Sequence, residues 1–341
     1  MSLRLELFKI LRVYASLMPL RGVTFPDHLG FSVVHDFLLE NILSNPHFLQ
    51  YPPSEQYQLA FWKWAIRNLE NMTKNQDVEI DPQIYEHYLT LLPAPGTMRD
   101  QVCPRDLTFQ KPPSPSYITH YWRPKADASP IEECISLDSF ETVTLLESRT
   151  TIESGTTGMR TWLASFVLCE FFTRNLDLIR GKRILELGAG IGFLGTILVR
   201  LQQVFSIETP DHAIWLTDVN DNVLKRCQEN LQMPCNMTST SDINYRFLDW
   251  SHAVDNDRIA PLKSLLTNEI DASLIVGADI IFDPSLIPAL TAVLRLALQP
   301  GHKRSPKVAI IAATVRNEDT LAQFVGTVQR KLPVLSQGRM Y

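Results

Sequence analysis

The sequence predicts an α/β protein, in which a helical N-terminal extension is followed by a doubly wound, mostly parallel sheet. Three observations support this prediction. In the C-terminal part, short apolar runs alternate with segments of helical spacing. A glycine-rich turn, "ELGAGIG" at 186–192, joins the first of these runs to a helix. Before residue 100, apolar residues recur with helical spacing alone.

Residues 1–100 form the predicted helical domain, with segments such as "YQLAFWKWAIRNLENM" and "YEHYLTLL". A proline-rich stretch at 101–130 contains "CPRDLTFQKPPSPSYITHYWRPK", which cannot continue a helix and is interpreted as a linker. The second predicted domain covers 131–341. It opens with "CISLDSFETVTLLES", whose alternation predicts a short hairpin, and with the helical segment "TTGMRTWLASFVLCEFF".

The segments that follow have the apolar character of buried strands, and helices of ordinary length lie between them. Asp283 can cap one of these helices, with Pro284 in its first turn. In a doubly wound sheet, ligands are expected beyond the carboxyl ends of the strands. The predicted strands are 183–188, 214–218, 245–250, 272–279 and 307–314.

The composition is that of a globular protein, with 341 residues of which 45% are hydrophobic and 20% charged. The net charge of −5 provides no broad basic surface, so we expect protein or small-molecule partners and no direct nucleic-acid binding. The five scattered cysteines contain no CxxC pair and the histidines no HExxH, which indicates reduced thiols and no metal. No apolar run reaches the ~18 residues of a membrane span.

The first residues carry Arg4, Lys9, Arg12 and Arg21 against a single Glu6. This pattern fits the first amphipathic helix of a globular domain or a mitochondrial presequence. We favour the helix, because similar apolar-rich segments follow it. The expectation is therefore a cytoplasmic, monomeric protein, with mitochondrial localisation as the alternative.

The end of the first predicted strand indicates a small-molecule site. Glu186 is followed by Gly188 and Gly190, and such glycines let backbone N–H groups approach a polar ligand, so these residues are cofactor-binding candidates. With Gly192 and Gly195 the register also satisfies the G-x-G-x-x-G dinucleotide pattern. We expect Gly195 to serve packing. The glycines alone leave a dinucleotide and an adenosyl cofactor open.

Acidic and aromatic residues follow the next two strands. Asp218 can accept hydrogen bonds from the ribose of either cofactor. Asp249 can accept from an adenine amine while Trp250 packs against the purine. The alternative for Trp250 is a core position over the following helix.

The strand at 272–279 continues into "GADIIFD", which places Ala278 beside the cofactor and Asp279 at the mouth of the site, three residues before Phe282. Because Asp283 already accounts for the helix cap, Asp279 is left without a structural duty and is the best catalytic candidate. Upstream, "SGTTGMRTW" puts Trp162 at the start of a helix, where it serves either the core or the site.

Together, "ELGAGIG", "TD", "DW", "ADIIF" and an upstream Gly-x-x-x-Trp resemble the seven-strand, Rossmann-like, S-adenosylmethionine-dependent methyltransferases. Within them, the chain resembles the protein lysine methyltransferases called methyltransferase family 16, over about residues 140–330. The segments "SGTTGMRTW" and "TVRN" (314–317) and the helical extension are most similar to members that modify elongation factor 2. The resemblance implies that factor as the protein substrate, with the N-terminal domain helping to recognise it.

The resemblance also implies roles at the site. Asp279 and Phe282 match the acidic-x-x-aromatic motif at the target lysine, although many relatives have Tyr in place of Phe282. The ring can pack on the lysine stem, but no phenol hydroxyl is present. Asp249 is expected near the adenine. The S-adenosylmethionine pocket would be lined by Trp162, Gly188, Ala189, Gly190, Asp218, Trp250 and Ala278.

Methyl transfer from a sulfonium to an amine is a direct displacement, so it requires positioning rather than an enzyme nucleophile. A lysine with a pKa of about 10.4 has to lose its proton before it attacks. We hypothesise that Asp279, helped by strand-end carbonyls, orients the amine and eases this deprotonation.

Three alternatives remain open at this point. A nicotinamide-dependent dehydrogenase shares the glycine turn but does not predict "DW" and "ADIIF". A nucleic-acid or small-molecule methyltransferase shares the cofactor site, although "DPSL" is not a base-binding motif. A partner-binding scaffold with a vestigial fold is the third. Members of this fold usually end with two antiparallel strands, whereas "KLPVLSQGRMY" leaves room for one short strand, so we expect a trimmed sheet or a truncated sequence.

Overall fold

The computed structural model describes residues 2–74, 77–93, 113–124, 133–204, 213–236, 243–301, 306–332 and 338. The chain folds into two compact units. The N-terminal unit comprises residues 1–123 and 127–150, and the C-terminal unit comprises residues 124–126 and 151–341. Within the described residues, no helix combines the length and apolar character needed to span a membrane.

The N-terminal unit contains the predicted helices. They pack around a core that includes the fully buried Phe61 and Trp62. Asp81 caps the last helix through the backbone amide of Gln83, with proline in the first turn. The helices are α1 (Leu5–Ala15), α2 (Phe31–Leu38, continued by a π-helical turn at Leu39–Leu43), α3 (Pro46–Gln50), α4 (Glu55–Thr73) and α5 (Pro82–Thr90).

This unit also contains short strands that the sequence analysis did not assign to it. Strand β1 (Ser2–Arg4) pairs antiparallel with β3 (Cys134–Ser136). Strand β2 (Ser116–Trp122) pairs antiparallel with β4 (Glu141–Glu147). On one face of this second pair, the hydroxyls of Thr119 and Thr144 lie 2.9 Å apart.

These pairings correct two expectations. The predicted linker at 101–130 contains β2, and the predicted hairpin at 134–148 does not form, because β3 and β4 each pair with a different, earlier strand. Alternation marks a segment as a strand but carries no information on its partner. Most of the predicted linker, together with a few residues on either side of it, lies outside the described residues, which omit 94–112 and 125–132.

The C-terminal unit alternates strands and helices, as predicted. The short strands are β5 (Arg183–Leu187), β6 (Ala213–Asp218), β7 (Ile243–Phe247), β8 (Leu274–Ala278) and β9 (Val308–Ala312). The helices are α6 (Leu163–Arg174), α7 (Phe193–Val204), α8 (Asp221–Leu231), α9 (Ile259–Ser264, continued by a π-helical turn at Leu265–Ile270), α10 (Ile287–Ala297) and α11 (Glu318–Lys331).

The strands form a parallel sheet in the order β7-β6-β5-β8-β9, which confirms the doubly wound α/β prediction. The order reverses between β5 and β8, where crossovers leave in opposite directions and open a crevice at the carboxyl ends of the strands. The strand β5 and β8 side chains are almost wholly buried, which agrees with their continuous apolar sequences. The predicted terminal strand falls in 331–341, where α11 ends at Lys331 and the rest lies outside the described residues apart from 332 and 338.

Gly195 has the packing role expected of it. A methyl group at Gly195 would lie 2.6 Å from Leu216 Cδ2 on β6, so only glycine lets α7 approach the sheet this closely. This close packing places the start of α7, and the turn before it, at the carboxyl end of β5.

Candidate active site

A cavity of about 400 Å³ lies at the carboxyl ends of the strands, at the switch point between β5 and β8. Its size is within the range of small-molecule sites. All of the residues that the sequence analysis nominated for the site line it. They are Trp162, Glu186, Gly188, Ala189, Gly190, Asp218, Asp249, Trp250, Ala278, Asp279 and Phe282.

The glycine turn between β5 and α7 brings backbone to the cavity wall. Gly188 and Gly190 have left-handed φ angles of 65° and 53°. A methyl group at Gly188 would lie 2.9 Å from Ile280 Cγ2, and one at Gly190 would lie 3.1 Å from the Gly158 carbonyl oxygen. Both positions therefore need glycine for conformation and for space.

Asp218, the last residue of β6, is held by backbone amides. Gly190 N–H donates to Asp218 Oδ2 at 3.3 Å, and Asn220 N–H donates to Oδ1 at 3.1 Å. Burial raises the pKa of Asp218, and the hydrogen bonds from Asn220, Gly190 and Val219 partly oppose this rise. The carboxylate is thus fixed in orientation at the wall of the cavity.

Glu186, the second-last residue of β5, is a buried acid close to the glycine turn. Its side chain is nearly inaccessible to solvent, and among the described residues Oε2 has no hydrogen-bond partner. Burial, followed by the nearby charge of Asp218, raises the pKa of Glu186 from its ordinary 4.5 to about 8. An unpaired buried acceptor beside a cavity is suited to a ligand that donates.

Asp249 and Trp250 follow β7. Asp249 caps the short turn Trp250–Ala253, accepting from Ser251 N–H at 2.8 Å. Burial alone would raise the pKa of Asp249, but the hydrogen bonds from Ser251, together with the nearby charges of His252 and Arg258, outweigh it and lower the pKa. The indole of Trp250 lies against the glycine turn, since a methyl group at Gly188 would be 3.7 Å from Trp250 Cζ2. Trp250 therefore forms part of the cavity wall.

The loop before α6 lines the cavity with residues that the sequence analysis had not nominated, among them Thr156, Thr157 and Arg160. It begins with a tight turn in which Glu153 and Thr156 exchange backbone hydrogen bonds of 3.0 Å. Ser154 and Gly155 at its tip have φ angles of 51° and 77°. The Ser-Gly pair in "SGTTG" is a turn signal that could have drawn attention to this loop.

Asp279, the principal catalytic candidate, has structural partners, which corrects the expectation that it has no structural duty. Its Oδ1 accepts from Thr314 N–H at 2.7 Å. Its Oδ2 accepts from the Thr314 hydroxyl at 3.0 Å and from the Ala164 N–H of α6 at 3.3 Å. The backbone at Asp279 is left-handed, with φ of 55°. Asp279 thus joins the ends of β8 and β9 to the start of α6.

Arg316 is also a partner of Asp279, and the sequence analysis did not assign it to the site. Its Nη2 lies 3.3 Å from Asp279 Oδ2, and its guanidinium carbon lies 4.8 Å from the ring centre of Trp162. The Arg160 guanidinium carbon lies 5.3 Å from the same ring. Trp162 Nε1–H donates to the Thr157 carbonyl at 3.0 Å. The motif "TVRN" contained the signal, but nothing in it named Asp279 as the partner.

Apolar side chains stand at the edge of the cavity. Phe282 is 50% exposed, and Val219 and Val254 are 57% and 58% exposed. Asp283 caps the turn before α10 by accepting from Ser285 N–H at 2.8 Å, as predicted. The Phe282 ring is therefore accessible to a substrate.

The residues around the cavity fit S-adenosylmethionine. The glycine turn leaves room for a ligand close to backbone, the Asp218 carboxylate can accept from hydroxyls such as those of a ribose, and the buried, unpaired Glu186 Oε2 can accept from an amine. Trp250 offers an aromatic surface. Among the described residues, no three His, Cys, Asp or Glu side chains are grouped as metal ligands would be.

Comparison with known sequences decides the family. The sequence profile of the lysine methyltransferase family matches residues 143–331. The chain belongs to this family. The match includes each strand of the parallel sheet and every nominated site residue. The cofactor of this lysine methyltransferase fold is S-adenosylmethionine, so the choice that the glycine spacing left open is settled against a dinucleotide.

Several proteins of known name are similar in sequence to this chain. Protein-lysine N-methyltransferase EFM3 of Chaetomium thermophilum is 33% identical over 55% of this chain and 52% of its own length. Protein-lysine N-methyltransferase EEF2KMT of Homo sapiens is 31% identical over 57% of this chain and 56% of its own. The Bos taurus protein of the same name is 25% identical over 87% of this chain and 78% of its own length. The chain spans about half the length of the first two relatives.

A solved structure, magnesium protoporphyrin IX methyltransferase (ChlM) from Synechocystis PCC 6803 with bound SAM, is 12% identical to this chain. The match covers 48% of this chain and 65% of that one, with a TM-score of 0.31. This likeness is too distant to inform the site.

Proposed function

We propose that the protein is an S-adenosylmethionine-dependent protein-lysine N-methyltransferase and that its substrate is elongation factor 2. One observation carries the proposal: in a chain of the lysine methyltransferase family, a single cavity brings the glycine turn and Asp218 together with Asp279 and Phe282. Similarity to the human and bovine proteins named EEF2KMT supports the choice of substrate.

The proposal assigns the cofactor to one part of the cavity wall. Gly188 and Gly190 admit it close to backbone, Asp218 accepts from its ribose, and Asp249 and Trp250 accommodate its adenine. Bound there, S-adenosylmethionine supplies an electrophilic methyl group. The chain needs no nucleophile of its own, so its contribution is orientation and the exclusion of water.

The proposal places the substrate's lysine against the part of the cavity wall formed by Asp279 and Phe282. Phe282, which is half exposed, packs on the aliphatic stem. Asp279 orients the nitrogen through Oδ2, the oxygen that also accepts from the Thr314 hydroxyl and from Ala164 N–H. Removing the amine from water lowers the cost of losing its proton, because burial disfavours the charged form.

We also propose that the N-terminal unit recognises the folded substrate. It has a hydrophobic core of its own, and the cavity lining comes entirely from residues 156–289. The bovine relative matches 87% of this chain and therefore extends into that unit. A chain starting at residue 151 should then keep its affinity for S-adenosylmethionine and lose methylation of the protein substrate.

The deciding experiment measures the intact mass of unmethylated elongation factor 2 after incubation with the full chain and S-adenosylmethionine. Asp218→Asn is the inactive variant. Asp221→Asn is its matched control, because Asp221 is an exposed carboxylate three residues further on, outside the cavity lining. We expect methyl mass with the wild type and Asp221→Asn, greatly reduced with Asp218→Asn, and located on a lysine by peptide mapping.

The negative outcomes separate the parts of the proposal. If no mass is gained but calorimetry shows cofactor binding, elongation factor 2 is the wrong substrate. If S-adenosylmethionine does not bind, the scaffold alternative replaces the enzyme. If methyl mass maps to a residue other than lysine, the reaction class is wrong.

A further inference from the structure

The partners of the Asp279 carboxylate differ in how readily they can leave. Thr314 N–H and Ala164 N–H are backbone donors, fixed by the turn after β9 and by the first turn of α6. The Thr314 hydroxyl is tied to the same backbone. Arg316 contributes the end of a long, flexible side chain that is 45% exposed, whereas the Asp279 side chain is only 3% exposed. Arg316 is therefore the exchangeable partner.

The surroundings of the Arg316 guanidinium form a cation site. The anionic Oδ2 of Asp279 lies 3.3 Å from Arg316 Nη2, and the face of Trp162 lies 4.8 Å from the guanidinium carbon. A carboxylate and an indole face are both favourable to a cation, and together they favour one over a neutral group. Asp279 and Trp162 also line the cavity, so this cation site shares two residues with the cavity wall.

We propose that Arg316 occupies the position of the substrate's lysine ammonium in the free enzyme and that the incoming ammonium displaces it from Asp279. This inference rests on the proposed function, which makes a lysine the substrate. The exchange replaces one cation by another, so the buried carboxylate keeps a counter-charge when the protonated lysine binds. Arg316 thus competes with the substrate's lysine for Asp279.

Two consequences follow from the exchange. A neutral side chain of lysine's length cannot displace Arg316 without leaving the Asp279 charge uncompensated, which is costly for a buried carboxylate. A lysine has to compete with an intramolecular cation, so its apparent affinity is lower than the site alone would give. Removing the Arg316 charge should therefore strengthen the binding of lysine more than the binding of a neutral analogue.

The test uses the full chain saturated with S-adenosylhomocysteine, so that no methyl transfer occurs. The probe is Nα-acetyl-lysine methylamide, and its neutral counterpart is Nα-acetyl-norleucine methylamide. Saturation-transfer NMR titrations compare the wild type with R316Q and with R160Q. The Arg160 guanidinium also lies over Trp162, but it has no hydrogen bond or ion pair with Asp279.

We expect R316Q to bind the lysine probe about threefold to tenfold more tightly than the wild type, the range set by a partly exposed ion pair with a cation–π contact. R160Q, which removes a cation over Trp162 but none from Asp279, should show a smaller change than R316Q. R316K, which keeps the charge but lacks the planar guanidinium, should show a smaller gain than R316Q. Unfolding midpoints and S-adenosylmethionine affinities of the variants confirm that each has folded.

The inference is overturned if neither R316Q nor R316K binds the lysine probe more tightly, or if the norleucine probe gains as much as the lysine probe. An equal gain with R160Q also overturns it, because the effect would then lie at Trp162 alone. The titration needs neither catalysis nor elongation factor 2. A gain in R316Q therefore supports the exchange even if that factor proves not to be methylated.

Discussion

Thr314 holds both oxygens of the Asp279 carboxylate, its backbone amide donating to Oδ1 at 2.7 Å and its hydroxyl to Oδ2 at 3.0 Å. Asp279 N–H donates in turn to the Ala312 carbonyl at 2.8 Å. The end of β8 is thereby locked to the segment after β9. The acid nominated for catalysis is also a structural tie, so its variants change both stability and activity.

The first prediction compares the stability contributed by one hydrogen bond to Asp279 with that contributed by its whole carboxylate. Thr314→Val removes only the hydroxyl donor and should lower the free energy of unfolding by about 1 kcal/mol. Asp279→Asn removes the negative charge that accepts all of these hydrogen bonds and should lower the free energy of unfolding by about 2–3 kcal/mol. Urea unfolding measures both. Thr327→Val, which removes a surface hydroxyl bonded to the Gln323 carbonyl, is the control and should change little.

Equal effects of Thr314→Val and Thr327→Val would mean that the contact between Thr314 and Asp279 contributes no stability. An Asp279→Asn protein as stable as the wild type would show that the carboxylate is not a tie.

The second prediction concerns the glycine turn. Gly190→Ala places a methyl group 3.1 Å from the Gly158 carbonyl at a left-handed φ, so it should weaken S-adenosylmethionine binding at least tenfold. Gly22→Ala has a similar φ of 82° and open space around it. Both variants should lose about 1 kcal/mol of stability from backbone strain. Calorimetry should show that only Gly190→Ala loses affinity, and a Gly190→Ala protein with full affinity would contradict the assigned role of the turn.

The third prediction is a pH dependence that Glu186 causes. Its pKa rises from 4.5 to about 8 on folding, so between these values the folded chain holds a proton that the unfolded chain has lost. The free energy of unfolding contributed by this group therefore falls as the pH rises through that window. In cofactor-free protein, Glu186→Gln should remove this loss and be the more stable variant at high pH.

Urea unfolding of the wild type and Glu186→Gln at about pH 5.5 and about pH 8.5 tests this. The difference in stability between the two proteins should shift in favour of the variant at the higher pH. A difference that stays constant with pH would mean that Glu186 is not protonated in the folded chain.

The fourth prediction concerns Asp218, the proposed acceptor for the ribose of the cofactor. Asp218→Asn replaces a fixed anionic acceptor and should weaken S-adenosylmethionine binding by about tenfold to a hundredfold, the range for hydrogen bonds to a charged group. Asp221→Asn should bind like the wild type, because Asp221 is exposed and lies outside the cavity lining. Isothermal titration calorimetry at equal ionic strength compares them, and equal affinities would remove Asp218 from the cofactor site.

The parallel sheet was predictable because its strands are short, apolar runs that alternate with helical segments. Asp218 and Ala278 were located from those strand ends alone, and both line the cavity. The pairing of β2 with β4 was not predictable, because alternation identifies each strand without its partner. The partners of Asp279 were missed for a similar reason: Ala164 is 115 positions away and Thr314 is 35.

The half-exposed apolar rim has an evolutionary consequence. Phe282, Val219 and Val254 contact solvent over about half their surface, so replacing them removes little buried area and costs little folding stability. Glu186, Gly188 and Gly190 are constrained by burial or by backbone conformation. A lineage with this fold can therefore vary Val219 and Val254 at the rim with little loss of stability, while Glu186 and the glycine turn stay fixed.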